Sequence, residues 1–352
     1  MASETPISVQ SPLAGPTSKR ELQAWRKRSR SFAEISDSAA RVTQILNGIN
    51  VPRSEPLVLR RGFSYSETPI AEYAGDDRKT PPREVRPPAT RLMNGQGPAL
   101  RLVLTAISLA QAQDRRPGTT FRNRWPVFPD SPREYGWCDF IASPATTTSN
   151  QTKHYITDRR KRKGQVNRAL KTIQNAKLIQ LPSDKSGRFQ LLDETAGASR
   201  PHAELMPYSI PSKSEPTLVL PEGFIANGWL HILRDSEIAL ILMLSCGEGK
   251  LEGEDPGLIA IPSDTRLRHY GLGRESFSAA HPILRALGLL KQSGQPRNSA
   301  GRIVGFDPED THQLHRLQLI PEGFKSDAVE VAREVFGRKV LDSSSRHAGN
   351  FD

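Results

Sequence analysis

Arg168, Lys171 and Asn175 lie three and four residues apart, a spacing that puts all three on one side of a helix. Gly164 shares that side, and Val166, Ala169, Leu170 and Ile173 occupy the other. Arginine and lysine suit the major-groove acceptors of guanine, and a carboxamide matches the donor and acceptor of adenine. The chemistry on offer is hydrogen-bonded reading of base edges, with no bond made or broken. Basic residues flank this segment on both sides. Arg159, Arg160, Lys161, Arg162 and Lys163 run into it, and Lys185 and Arg188 follow it. Such side chains hold phosphates, which position a protein without reading sequence. Between Lys153 and Arg188, eleven Lys/Arg meet only Asp158 and Asp184.

These groups act together only if local structure holds them. The apolar spacing predicts a helix over 165–176, then strands at 178–181 and 188–192 about a polar turn at 182–187. A supporting helix is expected over 98–112, where Leu100, Val103, Leu104, Ile107 and Ala110 repeat with helical spacing. A brief helix is expected at 137–142. Residues 113–136 read as an irregular insertion rich in Pro, Arg and aromatics.

Charge divides the chain unevenly. Residues 1–195 carry 32 Lys/Arg against 18 Asp/Glu, and residues 196–352 carry 17 against 20. The first part fits a polyanionic partner; the bland alternative is a solvated basic face. A membrane surface is disfavoured as the polyanion. The apolar run 238–246 is about half of a membrane span. Cys138 and Cys246 are the only cysteines, and two so far apart suggest neither a disulfide framework nor a zinc site. No signal-peptide pattern opens the chain, so a cytoplasmic, nucleoid-associated location is expected, with no cofactor.

Residues 1–91 hold ten of the 28 prolines and read as a largely disordered basic arm. One stretch, 19–46, lacks Pro and Gly and suits a helix carrying Arg26, Lys27, Arg28 and Arg30. It reads equally as an arm touching a polyanion or as a solvated tail. Residues 196–217 read as a Pro/Ser linker. Beyond them come a strand at 217–220, a helix at 235–246 capped by Asp235 or Ser236, and helices at 263–270 and 274–287. Strands follow at 289–290, 302–306 and 314–320, then a helix at 326–336.

The two halves repeat at an offset of 111. Val166, Ile173, Leu178 and Ile179 correspond to Phe277, Leu284, Leu289 and Leu290, each set a helix face running into a hairpin. This order resembles the winged helix-turn-helix superfamily. The segment from Arg168 to Ile179 resembles that family's recognition helix entering its wing, and Asn227-Gly228-Trp229 before the 235–246 helix is similar to a winged-helix start. A tandem pair also resembles plasmid replication initiators, more weakly. The resemblance implies a mainly α protein with small β-hairpins, α+β in class. Its domains would be a winged helix at 92–195, a second at 218–322, and a C-terminal helix and tail at 323–352, behind the 1–91 arm. It also implies that the third helix of the first domain enters the major groove.

The equivalent helix of the second domain turns Glu275, Ala279, Pro282 and Ala286 outward, a poor set for reading bases. Pro282 predicts a kink or a late helix start. That domain is expected to serve association, with itself or with a partner protein. No phosphate loop, nucleophile elbow or metalloprotease motif occurs, so no enzyme is expected. His312 and His315 read as surface histidines, and His154-Tyr155 and His269-Tyr270 as packing or phosphate-contacting residues. The reading is a sequence-specific double-stranded DNA binder in transcription regulation or replication initiation. The alternative is a winged-helix protein-interaction module with weak nucleic-acid binding.

Overall fold

Apolar residues recurring every three or four positions bury one stripe of the outer helices, the stretches 102–111 and 237–244 are buried on all sides, and residues from both ends of the chain meet in one core. The computed structural model describes residues 19–49, 51, 55–70, 80–93, 98–131, 133–143, 158–182, 188–197, 206–247, 257–293 and 316–348. In order these form α1 (Lys19–Ala33), α2 (Ser36–Gly48), β1 (Leu57–Arg60), α3 (Pro88–Arg91), α4 (Ala99–Gln113), α5 (Asp158–Asn175), β2 (Ile179–Gln180) and β3 (Gln190–Leu191). Then come β4 (Thr217–Leu220), α6 (Trp229–Ile232), α7 (Asp235–Ser245), β5 (Ile259–Ala260), α8 (Ser263–Arg268), α9 (Arg274–Ala286), β6 (Leu290–Ser293), β7 (Arg316–Leu319) and α10 (Ala328–Ala348). The architecture is mainly helical with small antiparallel sheets, α+β in class: β1 with β4, β2 with β3, and β5-β7-β6. Among the described residues no helix is long and apolar enough to cross a membrane.

The amino-terminal region departs from the expected disordered arm. Residues 19–48 form two helices broken at Glu34-Ile35. Their stripe of Leu22, Trp25, Phe32, Ala39, Val42 and Leu46 is buried. Trp25 and Phe32 pack on Phe336 of α10, with ring centroids 6.1 and 5.3 Å apart. Arg28 is also buried: it pairs with Glu237 of α7 at 3.0 Å and donates to the Ile232 carbonyl at 2.9 Å. That side chain belongs to the fold and is unavailable to a polyanion, whereas Arg26, Lys27 and Arg30 are exposed. Glu237 accepts from the Arg234 N–H at 2.8 Å, so Arg234, rather than Asp235 or Ser236, is the cap of α7.

β1 lies in the region expected to be disordered, yet it pairs with β4 in register, Leu57 with Leu220 and Leu59 with Leu218. The two strands share the tripeptide Leu-Val-Leu. Leu57-Val58-Leu59 leads to Gly62-Phe63, and Leu218-Val219-Leu220 leads to Gly223-Phe224. Pro-Glu-Gly-Phe recurs at 221–224 and 321–324, and the copies touch, Phe224 and Phe324 lying 6.1 Å apart. Gly223 has φ +78, and a Cβ there would come within 2.4 Å of the Phe324 carbonyl oxygen. Only glycine fits such an approach.

The segment expected as a linker is also held where it is described. Tyr208 donates its N–H to the Leu191 carbonyl at 2.9 Å, and Tyr208 and Ile210 are buried. The offset-111 repeat appears as shared geometry. Lys177 and Gly288 both take left-handed φ, 61° and 73°. One residue on, the Leu178 N–H bonds to Ile173 and the Leu289 N–H to Leu284, at 3.1 and 2.9 Å. α9 runs through Pro282 from Arg274, so the proline neither delays nor ends it.

Candidate nucleic-acid interface

α5 owes its orientation to its apolar side. Val166, Ala169, Leu170 and Ile173 are buried, and α5 lies against α4 and the turn at Trp137–Asp139. The opposite side is open: Asn167, Arg168, Lys171, Gln174 and Asn175 are all exposed. The three residues picked out by spacing are therefore brought to one surface, while Gly164 is half-buried. Asn167 and Gln174 were outside the expected set because they sit at the edges of a stripe wider than the one assumed. A broader arc on the same helical projection would have included them. From Asn167 to Asn175 the surface runs about 12 Å along the axis, close to the width of a major groove. All five side chains carry hydrogen-bond donors, and none is acidic.

The basic run behaves differently from expectation. It forms the first turns of α5 rather than a leader before it, so the helix distributes its side chains around the axis. Arg162 is half-buried and lies 3.9 Å from Asp139. Lys163 is exposed, with its Nζ 5.1 Å above the Phe128 ring. Lys161 is half-buried. The side chains of Arg159 and Arg160, and all of Lys185, lie outside the described residues, as do His154, Tyr155, His312, His315 and the strand expected at 302–306. Arg188 is exposed at the start of the returning hairpin strand, where Ile179 pairs with Leu191. Lys177, in the turn between α5 and β2, adds an exposed cation that spacing did not single out.

Past the hairpin, a buried charge cluster fixes the chain. Arg60 of β1 meets Glu194 at 2.9 Å, Glu215 at 2.9 Å and Asp193 at 3.8 Å. Burial alone would lower the Arg60 pKa, but these carboxylates hold it above its ordinary value. Burial pushes the Glu194 carboxyl up to about 6 against the opposing pull of Arg60. One cation among three carboxylates makes this corner a rigid anchor whose excess of acid offers nothing to an anionic ligand.

The second half presents another surface. On α9, Arg274, Glu275, Ser278 and Ala279 are exposed, while Pro282 and Ala286 are half-buried. Of the four residues expected outward, two are open. Arg285 is tied to Gln292 on β6 at 2.8 Å. Tyr270 is buried edge-on to Tyr65, so its hydroxyl is no accessible nucleophile. Among the described residues, no three His, Cys, Asp or Glu side chains are grouped to hold a metal ion. No protein family, curated protein or solved structure matches the chain.

Proposed function

We propose that this chain is a sequence-specific double-stranded DNA-binding protein built on two winged-helix units, acting in transcription regulation or replication initiation. α5 would lie in the major groove as the reading helix of the first unit, and the β2–β3 hairpin would be its wing. The observation that carries the reading is the open side of α5, where Arg168, Lys171 and Asn175 stand with Asn167 and Gln174 above a buried apolar side. Two further features support it. Lys177 stands where the helix enters the hairpin and Arg188 at the start of its returning strand, and the positive charge is concentrated in residues 1–195. The second unit would contribute architecture more than reading, since α9 exposes Glu275 and Ala279. Its surplus of acidic residues favours association with a basic surface, of a partner or of a second copy, over contact with DNA.

Selection from random duplexes, followed by titration of Arg168→Ala and Asn175→Ala, tests the proposal. Each substitution should cost about 1–3 kcal/mol on the selected site and much less on random DNA. Equal losses on both would reduce α5 to a backbone contact. Failure of the full chain to enrich any duplex would end the proposal.

A further inference from the structure

The insertion at 113–136 has no part in the reading helix or the wing, yet it is built against both. Asn123 donates its side-chain N–H to the Phe189 carbonyl at 2.9 Å, one residue from Arg188. The Asn123 carboxamide oxygen accepts from the Trp137 indole at 3.1 Å and from the Trp125 N–H at 3.2 Å. Trp137 in turn lies 4.8 Å from the Phe189 ring. On one side of this hook, Gly118 donates to the Ile210 carbonyl at 3.0 Å. On the other, Trp137 and Cys138 donate to the carbonyls of Pro126 and Val127 at 3.0 and 3.2 Å, and Phe128 sits beneath Lys163 of α5. The Asn123 amide nitrogen thus fastens the strip to the hairpin at Phe189, while its oxygen holds the Trp137 indole and the strip's own backbone.

Fastening fixes what the strip presents. Exposure alternates along it: Phe121, Asn123 and Trp125 are half-buried, and Arg122 and Arg124 are exposed. Residues two apart in an extended strip project to the same side, about 6–7 Å apart. Asp114, the acidic residue just before the strip, is engaged by Arg116 at 2.6 Å. Asp130 and Glu134 belong to the loop closed by the bonds from Trp137 and Cys138.

We propose that Arg122 and Arg124, hooked beside Arg188 by Asn123, form a second phosphate-contacting element that clamps the duplex backbone next to the hairpin. This inference rests on α5 facing DNA and adds the insertion to the footprint. The clamp supplies affinity and register without sequence preference, as phosphate contacts do.

The test uses the full chain and three double variants, each compared across a fourfold rise in salt on the selected duplex and on random duplex. Each phosphate contact contributes about 0.9 to the log–log salt slope. Arg122→Ala/Arg124→Ala should therefore lower the slope by about 1.8 and weaken both duplexes alike, leaving their ratio unchanged. Over that salt range the wild type should lose about tenfold more affinity than the variant. Lys325→Ala/Arg333→Ala removes the same charge from exposed positions near and on α10 and should leave the slope as it was. If both variants lower it equally, the effect is net charge and the clamp is wrong. Charge reversal, Arg122→Glu/Arg124→Glu, should lower affinity further at an unchanged melting temperature. An unchanged slope in the Arg122/Arg124 variants, with Arg168→Ala still relaxing preference, overturns the clamp and leaves the proposed function standing. No duplex binding by the wild type overturns both.

Discussion

Lys177 occupies the left-handed region at φ 61°, where its repeat partner is Gly288 at 73°. Both close the same helix-to-hairpin turn, so the backbone demand is equal and the residue choice differs. A side chain there costs about 1–2 kcal/mol over glycine, offset in part by the entropy glycine loses on folding. Lys177 is exposed beside Asn175, and strain of this kind collects where a side chain serves a function. Lys177→Gly should stabilise the fold by up to about 1 kcal/mol in urea titration while weakening duplex binding on all sequences. A variant that is more stable and binds as tightly would show that the lysine serves no contact. The open positions Arg168, Lys171 and Asn175 were legible in sequence because helical period alone decides them once Val166 and Ile173 are taken as buried. Arg28 was not legible. A buried arginine and an exposed one look alike in a basic run, and its partner Glu237 lies more than two hundred residues away.

At the scale of elements, α4, α5, α8 and α9 were legible from local spacing, and α7 from an unbroken apolar run. The helix over 19–46 was legible, but its docking on α10 was not, and β1 escaped altogether because it completes its burial on the distant β4. β1 also follows Pro52 and Pro56, which dilute any composition-based reading. The α1 helix consequently has a structural role that a basic arm would not. Breaking the buried Arg28–Glu237 pair leaves one unpaired charge in the interior, at about 3–5 kcal/mol. Arg28→Ala should cost that much in denaturant titration at moderate salt, whereas Arg26→Ala and Lys27→Ala should change stability by less than about 0.5 kcal/mol. Equal, small effects for all three would return α1 to the status of a solvated tail. The same reasoning applies to fragments. Residues 92–195 alone lack β1, whose Leu57, Leu59 and Arg60 are buried, so that fragment should not melt cooperatively.

The described residues of the whole molecule share one core, and His231 is buried among them. It is fully buried on α6, and neither ring nitrogen has a hydrogen-bond partner. Burial, reinforced by the nearby Arg101 cation, pushes its pKa down to about 3 from an ordinary 6.5. The unfolded chain therefore takes up a proton between those values and the folded chain does not. Stability must fall as pH drops through that window, by about 1.4 kcal/mol per unit. Glu194 works in the opposite sense. Its folded carboxyl, raised to about 6 from 4.5, binds a proton before the unfolded one does, so stability rises as pH falls from about 6 to 4.5. The two slopes oppose each other over that shared range, and the total hides both. His231→Leu isolates one of them, replacing an unsatisfied ring with an apolar side chain. Its stability advantage over the wild type should be constant above pH 7, then widen by about 1.4 kcal/mol per unit from about pH 6.5 toward pH 3. Urea titrations at pH 7.5, 6, 5 and 4 measure the difference directly, and other titrating groups cancel between the two proteins. A difference that stays flat across that series would mean His231 is protonated in the folded state, with a partner for its charge.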